Sequence, residues 1–347
     1  MTGYGADTTT GEVLEGLDLT GRHFMITGAS SGLGEESARS LSQAGATVTI
    51  LARNLEKLEA AKERIQGSVP SADLRIGIVD LADLGSIRVY AESFLAKGVA
   101  IDVLINNAGI MACPFMKTTD GFEMQFGTNH IGHFLLTNLL MPAIKAGENP
   151  RIINLSSAGH THSDVNLDDP NFDTTEYSAW ESYGRSKSAN IHFTRELVRR
   201  YGKQIQSFAV HPGVILTDLG RHLTPELMEE MTERVKARST SSAEAKKTGG
   251  LPFKSMEAGA ATQVWAATTN DLKPNNGAYL GDCQVGIEGG NPSENGYLPY
   301  IYNEDTAKAL WALSEKLVKQ EFPTNSYKDK LSFLFKEAEM RESSEKF

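Results

Sequence analysis

T-G-A-S-S-G-L-G, residues 27–34, follows directly on the apolar run 23–26 and leads directly into the stretch 35–43. This order reads as a strand, a glycine turn and a helix start. Gly28, Gly32 and Gly34 let the backbone turn sharply and approach a ligand closely, while the free N–H groups of the new helix favour an anion. The turn residues Gly28, Ser30, Ser31, Gly32, Leu33 and Gly34 are therefore a candidate cradle for a dinucleotide pyrophosphate. Glycine also collects in loops for turn geometry alone, so the reading depends on the strand, the helix and the rest of the chain.

Short apolar or β-branched runs recur at 23–27, 47–51, 75–79, 103–106, 151–155, 206–210 and 278–281. Helical patterns at 55–66, 87–97, 121–140, 180–201 and 258–268 fill the gaps. The alternation predicts an α/β fold: a single Rossmann-like, doubly wound domain with a mainly parallel seven-stranded sheet flanked by helices. No period of about 20 to 50 residues repeats. Residues 1–18 read as a polar N-terminal arm, 19–322 as the dinucleotide-binding domain and 323–347 as a tail with a helix around 331–339. Within the domain, 218–256 is a longer insertion. There Thr224-Pro225 resembles an N-cap with proline at the first helical position, and Leu227, Met228, Met231 and Val235 share one face of a helix ending near Arg238. A polar loop is expected at 239–250. The helix is either an ordinary surface helix or a lid over a lipophilic substrate, its methionines adapting to varied shapes. The segment 282–302 is loop-like, and 305–322 returns to a helical pattern.

Composition narrows the class. The chain has 347 residues, 40% of them hydrophobic, enough for a large core in a single big α/β domain or in two modest ones. A net charge of −10 without a long basic cluster argues against a nucleic-acid partner. The N-terminus has neither a basic nor an apolar leader region, and no apolar run approaches the roughly 20 residues of a membrane span. A cytoplasmic protein without a membrane partner is expected. Cys113 and Cys283, the two cysteines, suggest neither a disulfide framework nor a zinc pair.

Tyr183 and Lys187 lie four positions apart in a helical stretch, so both emerge on one face. A phenol has a pKa of about 10, and a neighbouring ammonium brings it towards the working range of an acid/base catalyst. Among ten tyrosines, Tyr183 alone has a lysine at this spacing. Ser156 and Ser157 end the strand 151–155, at the edge where parallel sheets bind ligands, and Ser157 is placed to bond a substrate oxygen. The same serines can also simply satisfy the strand end. The preceding strand ends in Asn106-Asn107-Ala108-Gly109, whose small residues permit close approach of a ring or ribose. Asn129 is a polar amide among apolar neighbours and wants a buried partner.

T-G-A-S-S-G-L-G, N-N-A-G, N-L-S-S, Y-G-R-S-K and H-P-G-V-I-L-T, in this order, resemble the short-chain dehydrogenase/reductase family over about residues 20–318. T-N-H-I-G-H-F-L-L-T and Y-G-R-S-K-S-A-N-I-H-F-T-R-E-L resemble the branch that contains retinol dehydrogenases, WW-domain oxidoreductase and protochlorophyllide reductase. The resemblance implies roles. Tyr183 exchanges a proton with the carbonyl or alcohol oxygen, and Lys187 lowers its pKa and holds the nicotinamide ribose. Ser157, rather than Ser156, orients the substrate oxygen, and Asn129 helps hold a water that relays protons to Lys187. Pro212, Gly213 and Thr217 contact the nicotinamide end, while Asp80 and Leu81 border the adenine with Asn107, Ala108 and Gly109 nearby. Family habit also implies a homodimer or larger assembly through the helices at 121–140 and 180–201, although monomers occur in this branch.

NAD-selective sites usually place a carboxylate after the second strand, where it would repel a 2′-phosphate. Here that strand runs into Ala52-Arg53-Asn54. A guanidinium without an acid predicts a preference for NADP(H), with NAD(H) possible, carried by Arg53 unless that residue is only a solvated helix start. His130 with His133 and His160 with His162 have metal-like spacings, but no acidic or thiol set completes a site, so no metal is assigned. His160, Trp180, Met111, Cys113 and Met116 flank the catalytic region as pocket lining or packing. The expected function is interconversion of a hydrophobic alcohol with its aldehyde or ketone. Two alternatives stand beside it: reduction of a conjugated carbon–carbon double bond, and a catalytically weak dinucleotide sensor.

Overall fold

The computed structural model describes residues 3–238 and 253–324. The chain opens with α1 (Thr10–Leu14), then β1 (His23–Thr27), α2 (Gly32–Gln43), β2 (Thr47–Ala52), α3 (Leu55–Ser68), β3 (Asp73–Ile78) and α4 (Leu84–Leu95). It continues with β4 (Val103–Asn106), a short α5 (Met124–Phe126), a π-helical turn (Gly127–Ile131), α6 (Gly132–Lys145), β5 (Arg151–Leu155), α7 (Ala179–Tyr201) and β6 (Gln206–His211). After these come α8 (Pro225–Arg238), α9 (Met256–Thr268), β7 (Tyr279–Gly281), β8 (Gln284–Val285), β9 (Ile287–Glu288), β10 (Gly296–Tyr297) and α10 (Glu304–Leu317). The loop expected at 239–250 and the tail helix expected at 331–339 lie outside the described residues.

The main sheet has the order β3-β2-β1-β4-β5-β6-β7-β8. Its first seven strands are parallel, in agreement with the expected sheet, and one more follows: β8 turns back antiparallel on β7. That addition rests on Asp282 and Cys283, both at positive φ (51° and 53°), the backbone a tight hairpin needs. Central strands β1, β4 and β5 are buried along their whole length, whereas edge strand β3 alternates exposed and buried residues. Parallel strands covered on both faces need this unbroken apolar run; a half-covered edge does not.

Successive residues of β1 point to opposite faces and seed two cores. Phe24 and Ile26 join Leu41, Val48, Ile50, Leu58 and Trp265 on one face. Met25 joins Leu104, Phe134, Leu136, Phe193 and Trp311 on the other. The strand order reverses between β1 and β4, and at their C-terminal ends the crevice for a ligand opens.

Two elements depart from expectation. Residues 1–18 are not merely a polar arm: α1 buries Val13 and Leu14, and Thr10 donates a 2.6 Å hydrogen bond to Glu36 of α2. The capping box formed by Thr9 and Glu12 is the sequence signal for that helix. The helix expected at 121–140 is interrupted by the π-turn that carries Asn129.

Trp311 of α10 lies 2% exposed, with its ring 4.9 Å from Phe134 and 5.8 Å from Phe193, so it sews the last helix onto α6 and α7. Trp311→Ala should lower unfolding free energy by about 3–5 kcal/mol, read as a fall in the urea midpoint. An unchanged midpoint would show that α10 is not part of the cooperative core.

Candidate active site

The glycine turn is built by close backbone approach. Gly28 has φ +66°, and a Cβ there would stand 2.8 Å from Ala108 Cα; one on Gly34 would stand 2.5 Å from the Gly28 carbonyl oxygen. The amides of Gly28 and Ala29 donate to the Leu51 carbonyl at 2.7 and 3.2 Å, which ties the turn to the end of β2. α3, α4, α7, α9 and α10 are closed at their N-termini by the side chains of Asn54, Asp83, Ser178, Ser255 and Asn303. Ser31, the N-cap of α2, makes no such bond and instead reaches Asp218 at 3.4 Å. The first amides of α2 thus meet the cleft without a side-chain acceptor, a donor set that fits a dinucleotide pyrophosphate.

Gly32 has φ +61° and faces the Thr217 methyl. The Ser30 carbonyl accepts from Arg64 at 3.2 Å, and that of Leu33 accepts from Gln263 at 3.3 Å. A cleft of about 490 Å³ opens here between Ser31 and Gly32 on one side and Leu216, Thr217, Leu223 and Met228 on the other. Arg53 is exposed at the end of β2. Asn54 beside it is committed to capping α3 through Lys57 N–H at 2.9 Å. Asp80 accepts from Ala82 N–H at 2.9 Å, and Leu81 is buried beneath Gly132, where a Cβ would stand 2.4 Å from its carbonyl oxygen. Pro212 and Gly213 follow β6; Gly213 has φ +91° and lies against Lys254, which is ion-paired with Asp282.

At the ends of β4 and β5 the polar groups converge. Lys187 Nζ donates to the Leu155 carbonyl at 3.2 Å and sits 5.6 Å from the centroid of the Tyr183 ring. Gly109 leaves the space beside it open, since a Cβ there would be 3.6 Å from that Nζ and 3.4 Å from Asn129 Oδ1. Ser157 Oγ accepts from Gly159 N–H at 3.0 Å and is the group that lowers the pKa of the nearby Tyr183 phenol. Ser156 points elsewhere, donating to the Lys187 carbonyl at 2.9 Å, so geometry separates the two serines.

Burial sets the titration of the pair. The Tyr183 phenol is pushed up to about 12 by loss of solvent, with only Ser157 pulling it down, and burial brings Lys187 down to about 8. The expected lowering of the phenol by the ammonium is not found, and a dry site disfavours the charged form of each.

Asn129 is fully buried in the π-turn, where its amide bridges both backbone groups of Ile110, at 2.8 and 2.9 Å, and the Ser186 hydroxyl at 2.9 Å. Its carbonyl accepts from His133 Nδ1 at 2.9 Å. With that nitrogen protonated, His133 Nε2 accepts from the Thr27 hydroxyl at 2.8 Å, and Thr27 Oγ1 accepts the amides of Asn107 and Ala108 at 2.9 and 3.0 Å. The linking role of Thr27 escaped the sequence reading, and His133 was weighed there only for its spacing to His130. A signal existed for His133, which stands four residues after Asn129 on a helix. Among the described residues no three metal-ligating side chains come together. His130 bonds Ser314 at 2.9 Å, and His162 lies 3.3 Å from Arg234.

An apolar wall surrounds the pair: Ala112, Trp180 and Tyr183 pack with Met111, Leu223, Leu227 and Met231, the last two from α8. Cys113 is buried with its thiol pushed up to about 11, while Met116 is exposed. No helix among the described residues is long and apolar enough to cross a membrane.

The family model of short chain dehydrogenases matches residues 22–227. Retinol dehydrogenase 13 of Homo sapiens is 38% identical over 307 residues, spanning 88% of this chain and 87% of the relative. The short-chain dehydrogenase/reductase prx1 of Penicillium roqueforti is 39% identical over 307 residues, 85% of this chain and 84% of its own. The crystal structure of an uncharacterized protein from Mycobacterium Paratuberculosis superposes with a TM-score of 0.69 at 33% identity, covering 91% of this chain and 99% of that one. The chain therefore belongs to the short-chain dehydrogenase family, whose members are oxidoreductases that bind a nicotinamide dinucleotide.

A lysine held near 8 when folded and at about 10.4 when unfolded is penalised wherever it is charged in both states. The penalty is complete below pH 8 and fades as pH rises towards 10. Lys187→Met should therefore raise the thermal midpoint at pH 7, with the gap to the wild type closing between pH 8 and 10. A midpoint lowered at pH 7 would show that the Leu155 bond outweighs burial.

Proposed function

We propose that the chain is an NADP(H)-preferring reductase and dehydrogenase of hydrophobic carbonyls and alcohols, with Tyr183 as general acid and base. One observation carries this reading: the Tyr183 phenol, the Ser157 hydroxyl and the Lys187 ammonium share a buried spot walled by Trp180, Met111, Leu227 and Met231. The bound cofactor supplies a hydride to the carbonyl carbon. Ser157, its Oγ already accepting from Gly159, keeps its hydrogen for an oxygen in front of it. Tyr183 remains protonated across the neutral range and is set to donate to the oxygen that gains charge. Lys187 places a positive charge beside the phenolate left behind, which makes that donation less costly. Asn129 ties the loop around Gly109 and Ile110 to Ser186 of α7, the residue before Lys187.

The apolar wall favours a lipophilic substrate, and α8 closes it from above with Leu227 and Met231. The named dehydrogenases of retinol among the relatives agree with a lipophilic alcohol. NADP preference rests on Arg53, solvent-facing at the end of β2, with Asn54 occupied in its cap and no carboxylate between 52 and 54.

Consumption of NADPH and NADH should be followed with octanal, 2-octanone and trans-2-octenal. NADPH is expected to be the better donor, and Tyr183→Phe should cut turnover by at least about 100-fold while NADPH still binds. Retained turnover in that variant overturns the role of Tyr183, and octanal as the product from the enal would favour double-bond reduction. Arg53→Ala should weaken NADPH binding by about tenfold and leave NADH unchanged, read by fluorescence titration. Equal affinities before and after the change would remove Arg53 from cofactor choice.

A further inference from the structure

Ser157 begins a 3-10 turn, Ala158–His162, and the residues that close this turn come from three distant parts of the chain. We propose that His160, braced by Tyr300, is a positioning residue that fixes Ser157 against Tyr183; this rests on the reading of Ser157 and Tyr183 given above. The Ser157 carbonyl accepts twice from the same residue, from His160 N–H at 3.0 Å and from His160 Nδ1 at 2.8 Å. A carbonyl only accepts, so Nδ1 carries the hydrogen. Nε2 is then an acceptor and meets Leu298 N–H at 3.4 Å. Both nitrogens are thereby committed and the tautomer is set.

The ring is fully buried and stands edge-on to Tyr279, their centroids 5.2 Å apart. Its backbone is held as firmly as its side chain. The His160 carbonyl accepts from the Tyr300 hydroxyl and from Ser188 Oγ, the latter at 3.2 Å. Tyr300 lies in the 3-10 turn Pro299–Tyr302, far along the chain, and Ser188 is the neighbour of Lys187 on α7.

The turn also has no slack towards the phenol. A Cβ on Gly159 would stand 2.6 Å from Tyr183 Cε1. The backbone that carries Ser157 therefore rests directly on the ring it serves, and a shift of the turn is a shift of Ser157 Oγ relative to Tyr183. A phenylalanine at 160 could fill the same space. What it cannot supply is the N–H aimed at the Ser157 carbonyl, and a misplacement of about 1 Å can cost about 100-fold in rate.

The test uses the full chain with NADPH and octanal, comparing His160→Phe, His160→Asn and Tyr300→Phe, with Ser157→Ala and Tyr183→Phe as references. His160→Phe should lower kcat by about 10- to 100-fold and leave the NADPH KM within about twofold. His160→Asn, whose amide N–H reaches the same carbonyl, should recover most of that loss. Tyr300→Phe should lower kcat by about 3- to 10-fold with its thermal midpoint near that of the wild type. An unchanged kcat in His160→Phe, or no recovery in His160→Asn, overturns the proposal. Should His160→Phe fail to fold, Tyr300→Phe decides, and an unchanged kcat there overturns it. Turnover retained in Ser157→Ala instead removes the reading of the site itself. A crystal structure of His160→Phe or Tyr300→Phe reads the position directly: displaced Ser157 Oγ supports the inference, and an unmoved one overturns it whatever the activity.

Discussion

Thr27 Oγ1 receives the amide hydrogens of Asn107 and Ala108 and gives its own hydrogen to His133, which passes the connection on to the carbonyl of Asn129. One buried hydroxyl thus ties together the end of β1, the loop after β4 and the π-turn before α6. Each of these groups is out of water, and leaving a buried donor or acceptor unmet costs about 1–3 kcal/mol. In this register Gly28 approaches Ala108 so closely that a Cβ would stand 2.8 Å from its Cα. The cradle for the dinucleotide and the pocket of Tyr183 are therefore two sides of one tie between neighbouring strands.

Dryness on the other side of that tie sets the chemistry. Burial holds the phenol protonated and makes the charge on Lys187 costly. His133 lies in the same interior with its pKa held down at about 4 by burial, so it stays neutral and serves as a fixed donor and acceptor. The rigid scaffold tolerates such groups because the central strands are covered on both faces.

Much of the fold was legible in the sequence for a simple reason. Fully covered parallel strands need unbroken apolar runs, and a close backbone approach needs glycine, and both leave local marks. The strand after residue 72 was read two residues late because, at the sheet edge, its alternating D-L-R-I-G-I carries half the apolar signal. The interruption at 127–131 left no mark at all. Asn129 and His133 satisfy the π-turn through groups that any helix pattern tolerates. Helix α1 was missed although its capping box is local, because five residues show too little periodicity.

Among the side chains of the candidate site, the sequence by itself determined which residue types stand at which strand ends: glycines at the turn, serines after β5, and a tyrosine and a lysine one helical turn apart. Tertiary structure alone decided their states. It turned Ser156 into the backbone and Ser157 towards the phenol, drew His160 inward under the serine, and let burial raise the Tyr183 phenol. Spacing along a chain is a local property written in the order of residues. Solvent exclusion and hydrogen-bond direction depend on what arrives from 81 or 140 positions away, and no local pattern carries that information.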